Sequence, residues 1–375
     1  MTLSQNLPTK NRSDGTSPAA REAAAREFAT AHGWADCQWQ PLAQDASRRR
    51  YFRLIKPGGN TRLIMDAPPP GERVIPFIAI ANWLRGEGLP APQIYVADHA
   101  SGLLLLEDFG SYDVARVLAE QNGDESTIYR SLVHTLVMLQ RALPPAALPV
   151  GGGNKPYALP DYTLSEFTRE YRLFIEWYLP EVSLDTQRNA AALDELEGLM
   201  ARLLTPFTDA TAGVMVHRDY HSENLMWRAE TKSPGNSVSS VGLIDFQDGL
   251  TGPCGYDLMS LVTDCRRRVS PPVWKMVIET YANETERTTS DVERQVAILG
   301  AQRTLKILGI FVRLYRRDQK PGYLAYLPYL WELWDQLLEH EALHPLKTWS
   351  EKYLPNDLRL PPALHGQPKS RRKTT

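Results

Sequence analysis

Two short polar motifs carry residue types suited to phosphoryl transfer. The first is the tripeptide His-Arg-Asp at 217–219, followed by Asn224, and the second centres on Asp245. An aspartate at the start of a loop can accept the proton of an attacking hydroxyl. Carboxamide and carboxylate oxygens are hard ligands suited to Mg²⁺. Phosphoryl transfer needs an in-line acceptor oxygen and compensation of phosphate charge, so these residues predict that chemistry.

Two β-like segments must bring the motifs together. Segment 213–227 carries the first motif and segment 239–248 the second, and the intervening TKSPGNS favours a turn. A hairpin of this kind places Asn224 beside Asp245. The tripeptide alone is better explained by chance, whereas both motifs across one hairpin form a specific pattern.

Composition excludes several classes of protein. The chain has 375 residues and a formal net charge of −2, with 43% apolar and 23% charged residues. These values are ordinary for a globular protein of roughly two to three domains. They argue against a disordered, collagen-like or coiled-coil chain. Near-neutrality also argues against nucleic-acid binding through global charge.

The cysteine pattern and the lack of long apolar stretches predict where in the cell the protein is found. Cys37, Cys254 and Cys265 are scattered without a CxxC pair, which argues against a disulfide framework or a zinc site. The N-terminus lacks the apolar core of a secretory signal, and no apolar stretch approaches the ~18–20 residues of a membrane span. We therefore expect a cytoplasmic monomer with no membrane or nucleic-acid partner.

Local patterns predict an α+β fold of two lobes. Short β-like segments with one packed helix occupy the first lobe, and apolar residues at three- and four-residue spacing fill the second. The expected order is a disordered leader at 1–17, an N-terminal nucleotide-binding lobe at 18–106, a hinge at 107–112, a C-terminal catalytic and acceptor-binding lobe at 113–355 and a flexible tail at 356–375.

A basic segment in the first lobe is the candidate phosphate grip. A guanidinium can bind two phosphate oxygens at once, as a fork. The residues expected to contact the nucleotide are Ser47, Arg49, Arg50 and Arg53. Alternate residues of a strand share a face, so Arg49 and Arg53 should point together and Arg50 opposite. A solvated basic edge strand explains the same residues equally well.

A second basic group follows one helical stripe. Between 301 and 320, Arg303, Lys306, Arg313 and Arg317 fall on one side of a helix. If this stripe faces the site, it favours an anionic acceptor over a cationic one, and resemblance to a known kinase family, described below, makes Arg303 and Lys306 the best candidates. A solvated helix face remains the alternative.

Three further residues are candidate acceptor contacts. Glu170 and Trp177 share a helix face with Phe174, and Asp248 follows closely after Asp245. Carboxylates can bind sugar hydroxyls and an aromatic ring can stack on a sugar. Aromatic residues at helical spacing are more often part of a core, and both interpretations stay open.

The motifs together resemble the aminoglycoside phosphotransferase-like kinases, relatives of choline kinases and protein kinases. The resemblance rests on HRDYHSENLMW and on GLIDFQDGLTGPCGYDLMSL. It implies a protein-kinase-like bilobal fold that uses ATP and Mg²⁺. It also implies that Asp219 is the catalytic base, that Asn224 and Asp245 hold Mg²⁺, and that Asp257 is structural.

The resemblance extends along most of the chain, from 44 to 330. QDASRRRYFRL, LIMDAPPP, GLLLLEDFG, REYRLFIEWYLP and LKILGIFVRLYRRDQKPGYL are similar to the anomeric sugar kinases of this family. This similarity implies phosphorylation of the C1 hydroxyl of N-acetylmuramate and N-acetylglucosamine in peptidoglycan recycling. It also implies that a hinge containing Glu107 and Phe109 contacts adenine through its main chain.

One departure from the kinase pattern concerns the phosphates. No GxGxxG loop is present, and the strand at 62–66 has no lysine. The basic residue that replaces the lysine is therefore open, although the base and metal ligands are intact. The competing hypotheses are a kinase for aminoglycosides, choline or homoserine on the same fold, and a nucleotide-binding pseudokinase.

Overall fold

The computed structural model describes residues 17–42, 48–120, 124–208, 213–228 and 241–360. The chain divides into two compact units. The first contains the described residues of Met1–Gly86, Ala91–Gly110 and Pro149–Tyr157. The second contains those of Glu87–Pro90, Ser111–Leu148 and Ala158–Thr375. The main boundary between the units falls after Gly110, inside the expected hinge. Two short segments do not belong to the unit that the predicted lobes imply: Glu87–Pro90 belongs to the second unit and Pro149–Tyr157 to the first.

The first unit is built around an antiparallel sheet. Among its described residues the sheet has five strands in the order β1-β2-β3-β5-β4. Its elements are α1 (Pro18–Ala31), β1 (Gln38–Pro41), β2 (Arg50–Ile55), β3 (Thr61–Asp66), α2 (Val74–Gly86), β4 (Ile94–Asp98) and β5 (Leu103–Leu106).

Helix α1 and the sheet share a small core. Alternate side chains of β2, Phe52 and Leu54, pack with Ala25 and Ala29 of α1, as the two-residue period of a strand requires. Asp66, at the end of β3, is fully buried and accepts from Arg21 of α1 and Arg50 of β2. A buried carboxylate needs such partners, so this triad fixes the helix on the sheet.

The second unit is mostly helical. Its helices are α3 (Val114–Ala119), α4 (Glu125–Arg141), α5 (Leu164–Leu173), α6 (Leu179–Val182), α7 (Thr186–Leu204), α8 (Gly255–Val262), α9 (Pro271–Glu284), α10 (Thr289–Arg316), α11 (Leu327–Leu338), α12 (His344–Tyr353) and α13 (Asn356–Arg359). Two short ladders pair β6 (Val214–Val216) with β9 (Leu250–Gly252), and β7 (Leu225–Trp227) with β8 (Val241–Leu243). The predicted α+β class is confirmed.

The first residues of the predicted flexible tail form a packed helix. Arg359 of α13 is buried, and its guanidinium binds Asp335 at 2.7 Å. Because these contacts hold α13 on the helical unit, the flexible tail cannot start at 356. The leader at 1–16 and the end at 361–375 lie outside the described residues.

Helix α10 corrects the prediction about membrane-length stretches. It has 28 residues, and an 18-residue window with a mean hydropathy of 1.3 is long and apolar enough to span a bilayer. However, 89% of that window is buried inside the protein. A spanning helix would expose apolar side chains to lipid, so this burial is typical of a core helix.

Helix α10 packs closely against α5 and the segment that follows it. Gln302 donates to Glu170 at 3.0 Å, Gly309 lies against the backbone of Leu173, and Arg316 binds Glu181 at 2.7 Å. Helix α5 continues at Phe174–Tyr178 as one π-helical turn. A Cβ at Gly309 would lie 2.2 Å from the carbonyl carbon of Leu173. Only glycine permits this approach.

We therefore expect Gly309→Ala to lower the free energy of unfolding by about 3 kcal/mol, because α10 must move away from backbone atoms that cannot rotate aside. In an open helix the same change is stabilising by about 1 kcal/mol. Urea unfolding followed by circular dichroism measures the difference. Gly322→Ala is the matched control, since a Cβ there meets no atom within 4 Å. Equal stability of the two variants would contradict the close packing.

Candidate active site

The loop after β6 is held by its backbone. The amides of His217 and Arg218 donate to the two carboxylate oxygens of Asp257, at 2.7 and 3.0 Å. Asp257 is fully buried, and this burial raises its pKa to about 6. Arg218 has a φ of +74°, which a side-chain-bearing residue adopts only when its surroundings impose it. The contacts agree with the structural role expected for Asp257.

His217 connects this loop to the second motif. Its Nε2 donates to the carbonyl of Ile244 at 2.9 Å, and burial lowers the pKa of the imidazole. A neutral ring with its proton on Nε2 satisfies this geometry. The amide of Ile244 in turn donates to the carbonyl of Asn224 at 3.2 Å. The two motifs therefore lie side by side, as the hairpin predicts.

The side chains of Asn224 and Asp245 present oxygen atoms at this junction. The Nδ2 of Asn224 donates to the carbonyl of Asp219 at 3.0 Å, which leaves the amide oxygen as its free end. Asp245 is exposed, with a φ of +62°, and one of its oxygens accepts from Gln247 at 2.9 Å. The strained backbone turns a carboxylate toward solvent at the end of β8.

Asp219 lies beside a buried cation from α10. Its Oδ1 accepts from Nη2 of Arg303 at 3.0 Å. The Asp219 side chain is 43% exposed, whereas that of Arg303 is only 6% exposed. Desolvation acts to raise the pKa of Asp219, but the nearby Arg303 and Lys306 outweigh it and hold that pKa well below its usual range. The carboxylate is thus ionised and accessible.

Glu170 is surrounded by donors. It accepts from Arg218, from Lys306 at 2.8 Å, from Gln302 at 3.0 Å and from the hydroxyl of Tyr162. Its side chain is 1% exposed, and the two cations hold its pKa at about 2 although burial opposes this shift. The sugar contact predicted for Glu170 finds no support in these contacts, because its oxygens are enclosed by the protein.

The other predicted acceptor residues occupy different places. Asp248 is exposed, and both it and Asp245 accept from Gln247, so it lies next to the predicted metal ligands. Trp177 lies in the π-helical turn and is half-buried. Arg303 and Lys306 are both buried on protein carboxylates, at Asp219 and Glu170. Their predicted sugar contacts stay predictions.

The predicted phosphate-binding arginines of the first unit all pair with carboxylates. Arg49 binds Glu72 at 3.0 Å, Arg50 binds Asp66 at 3.0 Å, and Arg53 binds Asp108 at 2.7 Å. Strand β2 begins only at Arg50, so the strand alternation that paired Arg49 with Arg53 does not apply. Ser47 lies outside the described residues.

Through its ion pair with Asp108, Arg53 stabilises the segment expected to be the hinge. It also donates to the carbonyl of Gly110 at 2.6 Å. Although burial opposes it, the Arg53 guanidinium lowers the pKa of Asp108. The Glu107 carboxylate accepts from the amide of Gln93 at 3.0 Å, and its own amide donates to the Gln93 carbonyl at 2.8 Å. Phe109 is half-buried in the same segment.

Sequence reasoning missed residues outside the two motifs that contact the catalytic loop. Ser222 donates to buried Asp264 at 2.7 Å, and this contact holds the turn that ends at Asn224. His221 is buried beside Arg266, and this environment lowers its pKa to about 4. The HRDxxxxN motif at 217–224 gives no signal for Asp264, which lies 42 residues from Ser222.

Comparison with known proteins identifies the family of this site. Residues 38–292 match the phosphotransferase enzyme family. The chain is 34% identical over 369 residues to the N-acetylmuramate/N-acetylglucosamine kinase of Caulobacter vibrioides, with 90% of this chain and 98% of that protein covered. The chain belongs to the phosphotransferase enzyme family. The predicted family is confirmed.

Two other comparisons agree with this assignment. The phosphotransferase is 32% identical over 312 residues to the protein of the same name from Pseudomonas aeruginosa, covering 80% of this chain and 85% of that one. An ADP-bound aminoglycoside phosphotransferase has a TM-score of 0.58 at 12% identity, covering 84% of this chain and 99% of that one. This likeness confirms the expected protein-kinase-like fold.

The residues at the hairpin junction of this phosphotransferase suit a magnesium ion. Asn224 offers a neutral oxygen and Asp245 an anionic one, which are the donor types that Mg²⁺ selects. Among the described residues, no group of three His, Cys, Asp or Glu side chains could hold a metal. Mg²⁺ that binds together with substrate phosphates typically takes only a few ligands from the protein.

Proposed function

We propose that this phosphotransferase transfers the γ-phosphoryl group of ATP to the anomeric C1 hydroxyl of N-acetylmuramate and N-acetylglucosamine. The observation that carries the proposal is the near-full-length similarity to two kinases named for these sugars. An ionised, accessible Asp219, whose carbonyl accepts from the predicted metal ligand Asn224, supports it. We also propose that the enzyme acts in peptidoglycan recycling in the cytoplasm, where ATP is available.

The proposed reaction uses the groups at the loop and hairpin. The Asp219 carboxylate accepts the proton of the C1 hydroxyl while that oxygen attacks the γ-phosphorus. The bond from the γ-phosphorus to the bridging oxygen breaks and ADP leaves. Asn224 and Asp245 would hold Mg²⁺, which supplies compensation for the negative charge of the phosphate oxygens.

The nucleotide contacts in this proposal come from the first unit. Arg49, Arg50 and Arg53 are the candidates for the basic residue that replaces the missing lysine. Arg50 is the weakest, because its partner Asp66 is fully buried and also binds Arg21. Breaking that pair would leave a buried charge without its full set of partners, which is costly. Arg49 and Arg53 therefore remain the better candidates.

A sugar panel tests the proposal directly. The enzyme is incubated with MgATP and with N-acetylmuramate, N-acetylglucosamine, an aminoglycoside, choline or homoserine. Two-dimensional ³¹P–¹H NMR then locates the new phosphate. We expect coupling between phosphorus and the C1 proton of both amino sugars. Phosphate on C6, or on an aminoglycoside or amino alcohol, would contradict the proposal, and tight MgATP binding without any transfer would favour a pseudokinase.

A further inference from the structure

Arg303 contacts the catalytic loop at two points. Its Nη1 donates to the carbonyl of Arg218 at 2.7 Å, and its Nη2 donates to Oδ1 of Asp219 at 3.0 Å. The first contact holds the carbonyl of the residue with a φ of +74°. The second holds the side chain of the next residue. One planar guanidinium thus fixes both the backbone direction and the carboxylate orientation at the proposed base.

We propose that Arg303 is a positioning residue for Asp219 rather than a ligand of the acceptor. By binding Oδ1, it directs the remaining oxygen of the half-exposed carboxylate toward the attacking hydroxyl. This proposal rests on the proposed function of Asp219 as the base. The contacts favour positioning over a direct acceptor contact, because Arg303 is 5% exposed and both of its terminal nitrogens donate to protein atoms.

A closed ring of contacts holds Arg303 in this orientation. The hydroxyl of Tyr256 lies 3.4 Å from Nη1 of Arg303 and 3.5 Å from Nζ of Lys306. Lys306 binds Glu170, and Glu170 binds the side chain of Arg218. The carbonyl of Arg218 accepts from Arg303, which closes the ring. Arg218 is therefore held at both ends. Helix α10 fixes a loop that lies more than 80 residues away in sequence.

The fork geometry distinguishes arginine from lysine at this position. A guanidinium presents two nitrogens in one plane, whereas an ammonium is a single point charge on a flexible stem. Arg303→Lys keeps the charge but cannot reach the carbonyl and the carboxylate together. We expect kcat to fall about 100-fold, since a small misplacement of a reacting group has an effect of that size. KM values for ATP and for the acceptor should change by less than about threefold, because neither substrate touches Arg303.

Two further variants separate positioning from folding. Arg303→Ala with added guanidinium or methylguanidine should recover part of kcat, because the small cation can occupy the vacated space beside Asp219. Arg303→Gln combined with Asp219→Asn should be no slower than Asp219→Asn alone, because the residues act as one unit. Arg294→Gln is the matched control on α10, since Arg294 is exposed and has no ion pair within the described residues.

The outcomes discriminate clearly. A rise of more than about tenfold in the acceptor KM of Arg303→Lys at unchanged kcat would overturn the proposal, because it is the signature of a ligand. So would additive losses in the double variant. ADP release with whichever acceptor is turned over supplies the rates. Failure with sugars alone would therefore contradict only the proposed function, whereas a wild-type enzyme inert toward every acceptor would overturn both.

Discussion

Asp219→Asn is expected to lower kcat for phosphoryl transfer by about 10³-fold, within the range that a positioned general base contributes. The asparagine keeps the shape of the side chain and can still accept from Arg303, but it cannot take the hydroxyl proton. Because the Asp219 side chain is 43% exposed, the fold should be retained. Coupled measurement of ADP release, with circular dichroism to verify folding, gives both quantities.

Glu223→Gln is a suitable control for this experiment. Glu223 lies in the turn at Ser222–Asn224, is exposed and binds Arg266 at 2.8 Å. Its replacement removes the same negative charge and should leave kcat within about threefold, since exposed ion pairs contribute little. If Asp219→Asn kept more than about a tenth of the wild-type rate, the assignment of the base would be wrong.

Glu170→Ala is expected to lower the free energy of unfolding by about 3–5 kcal/mol, the usual result of leaving buried charges unpaired. Two cations, Arg218 and Lys306, depend on this single carboxylate. Urea unfolding measures the loss. Glu166→Ala is the control on the same helix, because its pair with Arg169 is exposed and should be worth less than about 1 kcal/mol.

The same residue predicts an acid-dependent stability. The pKa of Glu170 is lowered to about 2 from an ordinary value of 4.5, so the folded state favours the ionised form. The resulting stabilisation is complete above about pH 4.5 and is lost as pH falls toward 2. Glu170→Gln should therefore show a shallower loss of stability in that window. Parallel pH profiles of wild type and variant would contradict the role of Glu170 in acid sensitivity.

Local patterns predicted most of the architecture and the core of the site. The turn-rich stretch between two β-like segments was enough to place Asn224 beside Asp245, because a hairpin is a local structure. Helical spacing placed Arg303 and Lys306 on one face of a helix, and both are buried together there. Periodicity gives the relative directions of side chains, but it does not say what a face contacts.

The missing information was long-range. Glu170 and Lys306 are 136 residues apart, and Arg53 and Asp108 are 55 apart, so neither pair leaves a periodic signal. Because the sequence does not show these pairings, Arg53, Glu170 and Lys306 were predicted to be available as ligands for phosphate or sugar. In the folded protein they neutralise one another. The predicted shared face of Arg49 and Arg53 does not apply for a different reason, since β2 begins one residue after Arg49.

The close approach at Gly309 constrains the length of α10 as well as its composition. Arg303 must reach Asp219 while Gly309 lies on the backbone of Leu173, and the two residues are six positions apart on the helix. This spacing sets a rise of about 9 Å and a fixed rotation between the two contacts. Adding or removing one residue would turn one contact away by about 100°. In divergent relatives of this chain, insertions and deletions should therefore be confined to the connections outside these positions.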